Sequence, residues 1–306
     1  MNKTTIRSST GKAALLAGLC FSALAANAAT VSVDCDAGKT ITAALANVKP
    51  GDIVLASGTC KEQVSFAPEM VRVTLDGQKK TTIQHPGKDA PSPHTVFVRG
   101  KDITVKGITV VGGLDGIHLS GPASAEIDGN VVMKTTRAGI HVDKGSVARI
   151  ISNTIQESGA YGIDITGVSV AYIGLRIPRV PALFPNIIRN NGASGINIER
   201  SSTAWIVGNT ISNNKGSGII VHRNSQADVM GNTINANGGD AITASFNAGI
   251  NLKSEPRTDA PNQTAQANGG AGIKCSIGGY VDGPPGTLAG TQGAKAIESG
   301  CVDRLE

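Results

Sequence analysis

One short pattern constrains what this chain can fold into more than any other feature. Gly116, Gly139, Gly162, Gly195, Gly218, Gly249 and Gly272 are each followed by isoleucine. Four of the six steps are 23 residues; the other two are 33 and 31, one period with an insertion. Further columns keep that register across residues 114–236. Ala125, Ala148, Ala171, Ala204 and Ala227 lie nine residues after the glycine, and Ile127, Ile150, Ile173, Ile206 and Val229 eleven after. An amide column follows, made of Asn130, Asn153, Asn186, Asn209 and Asn232, with Gln263 in the matching place one repeat later.

Self-similarity at a period of about 20–50 residues marks a stacked-repeat architecture. Each repeat holds three short alternating runs, as in Gly139–Asp143, Ala148–Ile151 and Asn153–Ile155. Alternation at period two puts Ile140, Val142, Ile150 and Ile155 on one side and His141, Asp143 and Arg149 on the other. Gly, Asn and Ser punctuate the corners, and no run is long enough for an ordinary helix. Each repeat is therefore expected to be one three-strand turn of an all-β solenoid, stacked at about 4.8 Å per turn with parallel pairing. In such a stack the asparagine column becomes a ladder, each amide bonding to the next along the axis.

The Gly-Ile-x-aliphatic strand, the Gly-Asn-Thr-Ile at 208–211 and again at 231–234, and the asparagine column resemble the right-handed parallel β-helix of the pectin-lyase-like superfamily, as does the start of the repeats at 40–59. The resemblance spans about residues 31–276. It implies a single-stranded right-handed β-helix domain over 29–276, and it is specific for architecture, since many chemistries share that fold. Residues 39–48, with Ile41, Leu45 and Val48 at helical spacing, read as a short capping helix over the first coil. From 277 to 306 glycine and proline dominate and the period fades, which predicts an irregular C-terminal cap. Together with the less regular early coils this makes about nine or ten turns.

Residues 1–28 read as a secretory signal: Lys3, Arg7 and Lys12, then an apolar core at 13–25, then Ala26-Asn27-Ala28 as the cleavage site. A periplasmic or secreted protein cleaved after Ala28 is expected. Losing those three basic residues lowers the formal net charge from +5 to +2. Near neutrality argues against a nucleic-acid partner, which needs a clustered basic face. No later stretch is long and apolar enough for a transmembrane helix, and a monomer is expected. Four cysteines remain, Cys35, Cys60, Cys275 and Cys301, with three pairings open. The local pairs Cys35–Cys60 and Cys275–Cys301 are the natural choice, since the intervening repeats hold the two ends far apart.

The resemblance assigns the Gly-Ile strands to the superfamily's first sheet, which carries the polysaccharide cleft in its enzymes. Alternation then makes His118, His141 with Asp143, Asp164, Asn197 with Glu199, His222, and Asn251 with Lys253 an outward polar stripe. It holds three of the five histidines. Polar groups at about 4.8 Å spacing suit an extended glycan, an acidic one or another cell-envelope polysaccharide. β-Elimination or epimerisation of a uronate needs a base, for which His141 or His118 qualifies. It also needs a cation on the carboxylate, for which Lys253, Lys274 or bound calcium qualifies. Hydrolysis needs two carboxylates, and Asp143 with Asp164 would stand roughly 8 Å apart, in the inverting range. The expected catalytic group is thus His141, Asp143 and Asp164. His118, Asn197, Glu199, His222, Asn251 and Lys253 are expected to bind substrate. The chain lacks the paired aspartates and Gly-His-Gly of the polygalacturonase-like hydrolases and the Asp-Pro-His-Asp of the mannuronan epimerases. A non-catalytic glycan-binding or structural envelope protein is the other class.

Overall fold

The computed structural model describes residues 28–88, 90–176, 182–253 and 260–306. The expected signal segment lies, up to residue 27, outside the described residues. The rest is the expected right-handed parallel β-helix, with coil stacked on coil in register. Ten strands from Val64–Phe66 to Lys295–Ile297 form the first sheet in strict chain order. The other two faces join into a seventeen-stranded sheet, because Ile53–Lys61, Thr74–Gln84 and Ile103–Val111 run unbroken around a corner.

Inward alternation fills the bore with aliphatics. Ile117, Ile140, Ile163, Ile196, Ile219 and Ile242 stack along one wall, and Ile127, Ile150, Ile173, Ile206 and Val229 along another, all fully buried. The glycine column follows from this packing. A Cβ on Gly139 would come within 2.4 Å of Ile155 Cγ2, and one on Gly195 within 2.5 Å of Ile211 Cγ2, so any side chain there would displace the next wall of the same coil.

The asparagine ladder is present, with its last member one residue away from the expected one. Asn130 Nδ2 donates to Asn153 Oδ1 at 3.1 Å, and the chain continues through Asn186, Asn209 and Asn232. It ends on Asn262, which accepts from Asn232 at 3.0 Å, and not on the expected Gln263, which is exposed. Two further ladders run beside it. Asn191, Asn214, Asn237 and Asn268 form a second amide column, and Ser146, Ser169, Ser202 and Ser225 cap successive backbone N–H groups. Buried corners thereby keep their polar groups paired.

The reason for the shift at Asn262 is a misplaced repeat. Ile242, not Ile250, pairs with Ile219, so Ile242–Ser245 is the first-sheet strand of that coil. Gly249–Asn251 pairs with the second-sheet strand Gln226–Met230. The extra residues fall after it, between Asn251 and Asn262, and not before the Gly249-Ile250 pair as the spacing implies. The earlier insertion, 175–184, lies at the same corner of its own coil. Its two short strands Leu175–Arg176 and Ala182–Leu183 pair antiparallel. Leu175, with Val207 and Met230, packs beside the stacked rings of Tyr172 and Trp205, whose centroids are 4.9 Å apart.

Both ends are closed as the spacing suggested, by disulfides Cys35–Cys60 and Cys275–Cys301. The capping helix is shorter than expected, Ile41–Leu45, and buries Ile41 and Leu45 over the first coil. Residues 277–306 are not an irregular cap. Tyr280–Gly283, Lys295–Ile297 and Val302–Leu305 continue the parallel stack, and apart from Gly283 the glycines and prolines fall outside these strands. No described helix is long and apolar enough to cross a membrane.

Replacing Asn262 by Leu removes the acceptor of both the Asn232 backbone N–H and its amide, inside a buried corner. It is expected to cost about 2–4 kcal/mol, whereas Gln263→Leu stays within about 0.5 kcal/mol of wild type. Urea unfolding of the two variants measures this; equal stabilities would place the end of the ladder elsewhere.

Candidate functional site

Register along the first sheet lines up Phe97, His118, His141, Asp164, Asn197, Ile220, Thr243 and Lys274 as one outward row. Asn251 and Lys253, expected in that row, are not in it. Asn251 lies on the second sheet, where its Nδ2 donates to Asp228 at 3.1 Å, and Lys253 pairs with Asp282 at 3.1 Å. Thr243 takes the vacated place. Lys274 is in the row but several coils from the histidines.

The expected solvated stripe is in fact buried where it is most polar: His141 is 4% exposed, Asp164 6% and Asn197 1%. Neighbouring rungs shield and bond one another. His118 and His141 stack face to face, with centroids 4.5 Å apart and planes 13° from parallel. Asn197 Nδ2 donates to Asp164 Oδ1 at 2.8 Å, and His222 Nε2 meets Asn197 Oδ1 at 3.0 Å. Glu199 sits beside His222 at 3.5 Å and is paired with Arg223 at 2.7 Å.

Three residues that sequence reasoning missed hold this row. Asp115, fully buried one place before the glycine column, takes Arg137 Nε at 2.8 Å and a second contact from Arg137 Nη2. Its Oδ2 also lies 3.0 Å from His94 Nδ1 and 3.4 Å from His141 Nδ1. His94 passes the connection on, its Nε2 standing 2.9 Å from His118 Nδ1. His118 Nε2 then faces Asp143 Oδ1 at 3.2 Å. The result is a string, Asp115–His94–His118–Asp143, with three gaps between hydrogen-bonding groups.

Two neutral imidazoles supply only two N–H groups for three gaps. Asp115 is the more buried carboxylate and has the greater need of a donor. The protons therefore point inward, from His94 to Asp115 and from His118 to His94, which leaves the His118 Nε2 lone pair bare at the outer end. For His141 the sense is reversed. Arg137 Nη2, which can only donate, lies 2.6 Å from its Nδ1, so the neutral ring carries its proton on Nε2, aimed at Asp164 3.6 Å away.

Burial raises Asp115, but its close contacts with His141, His94 and Arg137 outweigh it and hold the carboxyl well below the usual range. Burial also raises Asp143, yet contacts with His118 and Ser120 bring it down to about 2. Asp164 goes the other way, pushed up chiefly by burial. Burial, against the pull of Asp143, lowers His118 and so favours the neutral ring.

Two groups of three side chains bring potential metal donors within 4.8 Å: His94, Asp115 and His118, and His118, His141 and Asp143. A third, Cys35, Cys60 and Glu62, is spent in the disulfide. Calcium, one of the three candidate cations, takes six to eight oxygen donors, and these nitrogen-rich sets do not suit it. On the second sheet Glu126 meets Arg149 at 3.1 Å and also contacts Arg176. With Tyr172, Asp102 and Ser124, Glu126 and Arg149 line a shallow pocket of about 280 Å³.

A family model described as a right handed beta helix region matches residues 115–281. Among solved structures, pectate lyase Pel9A superposes with a TM-score of 0.58 at 12% identity, covering 89% of this chain and 80% of that one. The A-module of mannuronan C-5 epimerase AlgE6 from Azotobacter vinelandii gives 0.54 at 13%, with 91% of both chains covered. A variant of the periplasmic alginate epimerase AlgG gives 0.51 at 15%, covering 91% and 72%. Identities this low show the fold alone. No curated protein matches in sequence.

Asp143 ionises more readily folded, at about 2, than unfolded, at about 3.9. Its charge therefore stabilises the fold fully above about pH 4, and that contribution fades as pH falls toward about 2. Asp143→Asn should accordingly melt below wild type at pH 6, with the gap closing over that window. A gap independent of pH would show that the surroundings of Asp143 do not favour its charged form.

Proposed function

The chain belongs to the right-handed β-helix family, and we propose that it is an exported enzyme that cleaves an acidic polysaccharide by β-elimination at the first-sheet histidines. The observation that carries this reading is the bare His118 Nε2 beside an N–H on His141 Nε2, on rings stacked 4.5 Å apart. A base and an acid lie side by side on one face. Likeness in fold to proteins described as a pectate lyase and a mannuronan epimerase supports the substrate class. The two disulfides, with the basic, apolar and small-residue start of the sequence, support a periplasmic or secreted location.

In this mechanism His118 Nε2 takes the proton from carbon five of a uronate. The C–H electron pair moves into the carboxylate, whose growing charge Arg137 meets; its side chain is 38% exposed and lies against His141. The pair then returns to form the double bond and expels the glycosidic oxygen on carbon four, which takes the His141 Nε2 proton. Arg137 thus replaces Lys253 and Lys274 as the neutralising cation. Because both rings stack on the same sheet face, the proton and the leaving oxygen depart on one side. That suits elimination better than epimerisation, which must return the proton from the opposite face. A second reading, glycan binding without turnover, is favoured by the Asp164–Asn197–His222 string, which closes on itself.

Incubating the mature chain with polygalacturonate, alginate and other polyuronates, and following unsaturated products, tests the proposal. Elimination is expected on one of them, with His118→Ala and His141→Ala each losing about 10²–10⁴ in kcat. Saturated products with new reducing ends would move the chemistry to Asp143 and Asp164, as a hydrolase. Binding without any product would establish the second reading.

A further inference from the structure

We propose that His118, His141 and Asp143 form a binding site for one divalent ion of the zinc class, and that its occupancy switches the site off. One ring nitrogen from each of His118 and His141 and one carboxylate oxygen of Asp143 lie within 4.8 Å of one another, and His118 Nε2 stands 3.2 Å from Asp143 Oδ1; the atoms in question are His118 Nε2, His141 Nε2 and Asp143 Oδ1. All three atoms are buried and none has a hydrogen-bond partner among the described residues. Two of them belong to imidazoles at most 6% exposed. Three buried donor atoms left facing one another without partners need something between them.

The charge count points the same way. The string from Asp115 to Asp143 is one positive charge short of filling its gaps, and the missing charge falls at the outer gap. Arg137 is balanced by Asp115 and Arg223 by Glu199, which leaves Asp143 and the neighbouring Asp164 without a paired cation among the described residues. Two imidazole nitrogens with one carboxylate oxygen suit a borderline cation that accepts four ligands. A fourth place remains for water or for Asp164, which stands 3.6 Å from His141 Nε2. Metal-bound imidazoles generally hand their other nitrogen to a carboxylate, directly or through a neighbour. His118 does so here, through His94 to Asp115, and His141, whose Nδ1 lies 3.4 Å from Asp115, would do so on metal binding if its proton moved to Nδ1 and Arg137 gave way.

The inhibitory half of this inference rests on the proposed elimination. An ion seated between the rings takes the lone pair that would remove the proton and displaces the N–H that would protonate the leaving group. Metal binding and proton abstraction therefore exclude each other. Binding itself is read without any glycan.

The experiment uses the mature chain, stripped with a chelator and titrated with Zn²⁺ by calorimetry and with Co²⁺ by visible absorption. One ion per chain is expected, with a tetrahedral Co²⁺ spectrum, no competition from Ca²⁺, and a melting temperature raised by Zn²⁺. His118→Ala, His141→Ala and Asp143→Asn should each weaken Zn²⁺ by at least about tenfold, and His222→Ala should leave it unchanged. Asp143→Asn, at the open side of the site, keeps the test usable if a histidine variant fails to fold. No stoichiometric binding to wild type, or wild-type affinity in Asp143→Asn together with either histidine variant, overturns the site. Stoichiometric binding that leaves polyuronate cleavage undiminished overturns the inhibitory half alone, and absence of cleavage with binding intact separates the metal site from the proposed reaction.

Discussion

Everything in this molecule depends on parallel strands pairing in register at one repeat per coil. Under that constraint a side chain's nearest neighbours along the axis are its own counterparts one repeat away, about 4.8 Å above and below. Identical groups must therefore tolerate one another. Isoleucine does so by nesting in the bore, and asparagine by donating forward and accepting backward, as Asn186 does between Asn153 and Asn209. Charged residues cannot, and like charges in one column would repel. Each carboxylate in the first-sheet row accordingly meets an imidazole, an amide or a guanidinium on an adjoining coil, never another carboxylate.

Asp115 is where the row departs from repetition. The same place is filled by Ala138 and Tyr161 in the next two coils, and a carboxylate with no exposure there is costly unless fully bonded. Four groups, from His94, Arg137, His141 and the Ala138 backbone, converge on it. Its burial thus orients the groups that do chemistry. It sets one ring with a proton outward and the other with a lone pair outward, although the two rings stack as near copies.

Most of the fold was legible because the period repeats often enough to be read twice. His118, His141, Asp143 and Asp164 emerged together from alternation and column spacing, and the structure brings them together. The failure at Asn251 and Lys253 has a local cause. Gly249-Ile250 satisfies the glycine column, while the true strand, Ile242–Ser245, has Ala241 in the glycine place, so the spelling favoured the wrong segment. Asn262 was missed by one residue through the same shift. His94 was illegible for another reason: it lies in an early coil before the repeat becomes regular, and only the fold carries it beside His118. Arg137 left a usable trace, as a charged residue in a column that otherwise holds leucine, alanine and glycine, whereas Asp115 shares its place with Asp240 of a later coil.

The stacked pair on the second sheet has an optical consequence. Trp205 is the chain's only tryptophan, and it lies in mid-stack against Tyr172, beside a small apolar cluster separate from the bore. Its emission reports the polarity of the central coils and of the hairpin over them, while both disulfide-closed ends remain dark. A molecule that frays from either end would keep a native spectrum until the loss reached the middle. Fluorescence and far-ultraviolet dichroism would then part company, and their separation would measure how many coils come off before the centre gives way.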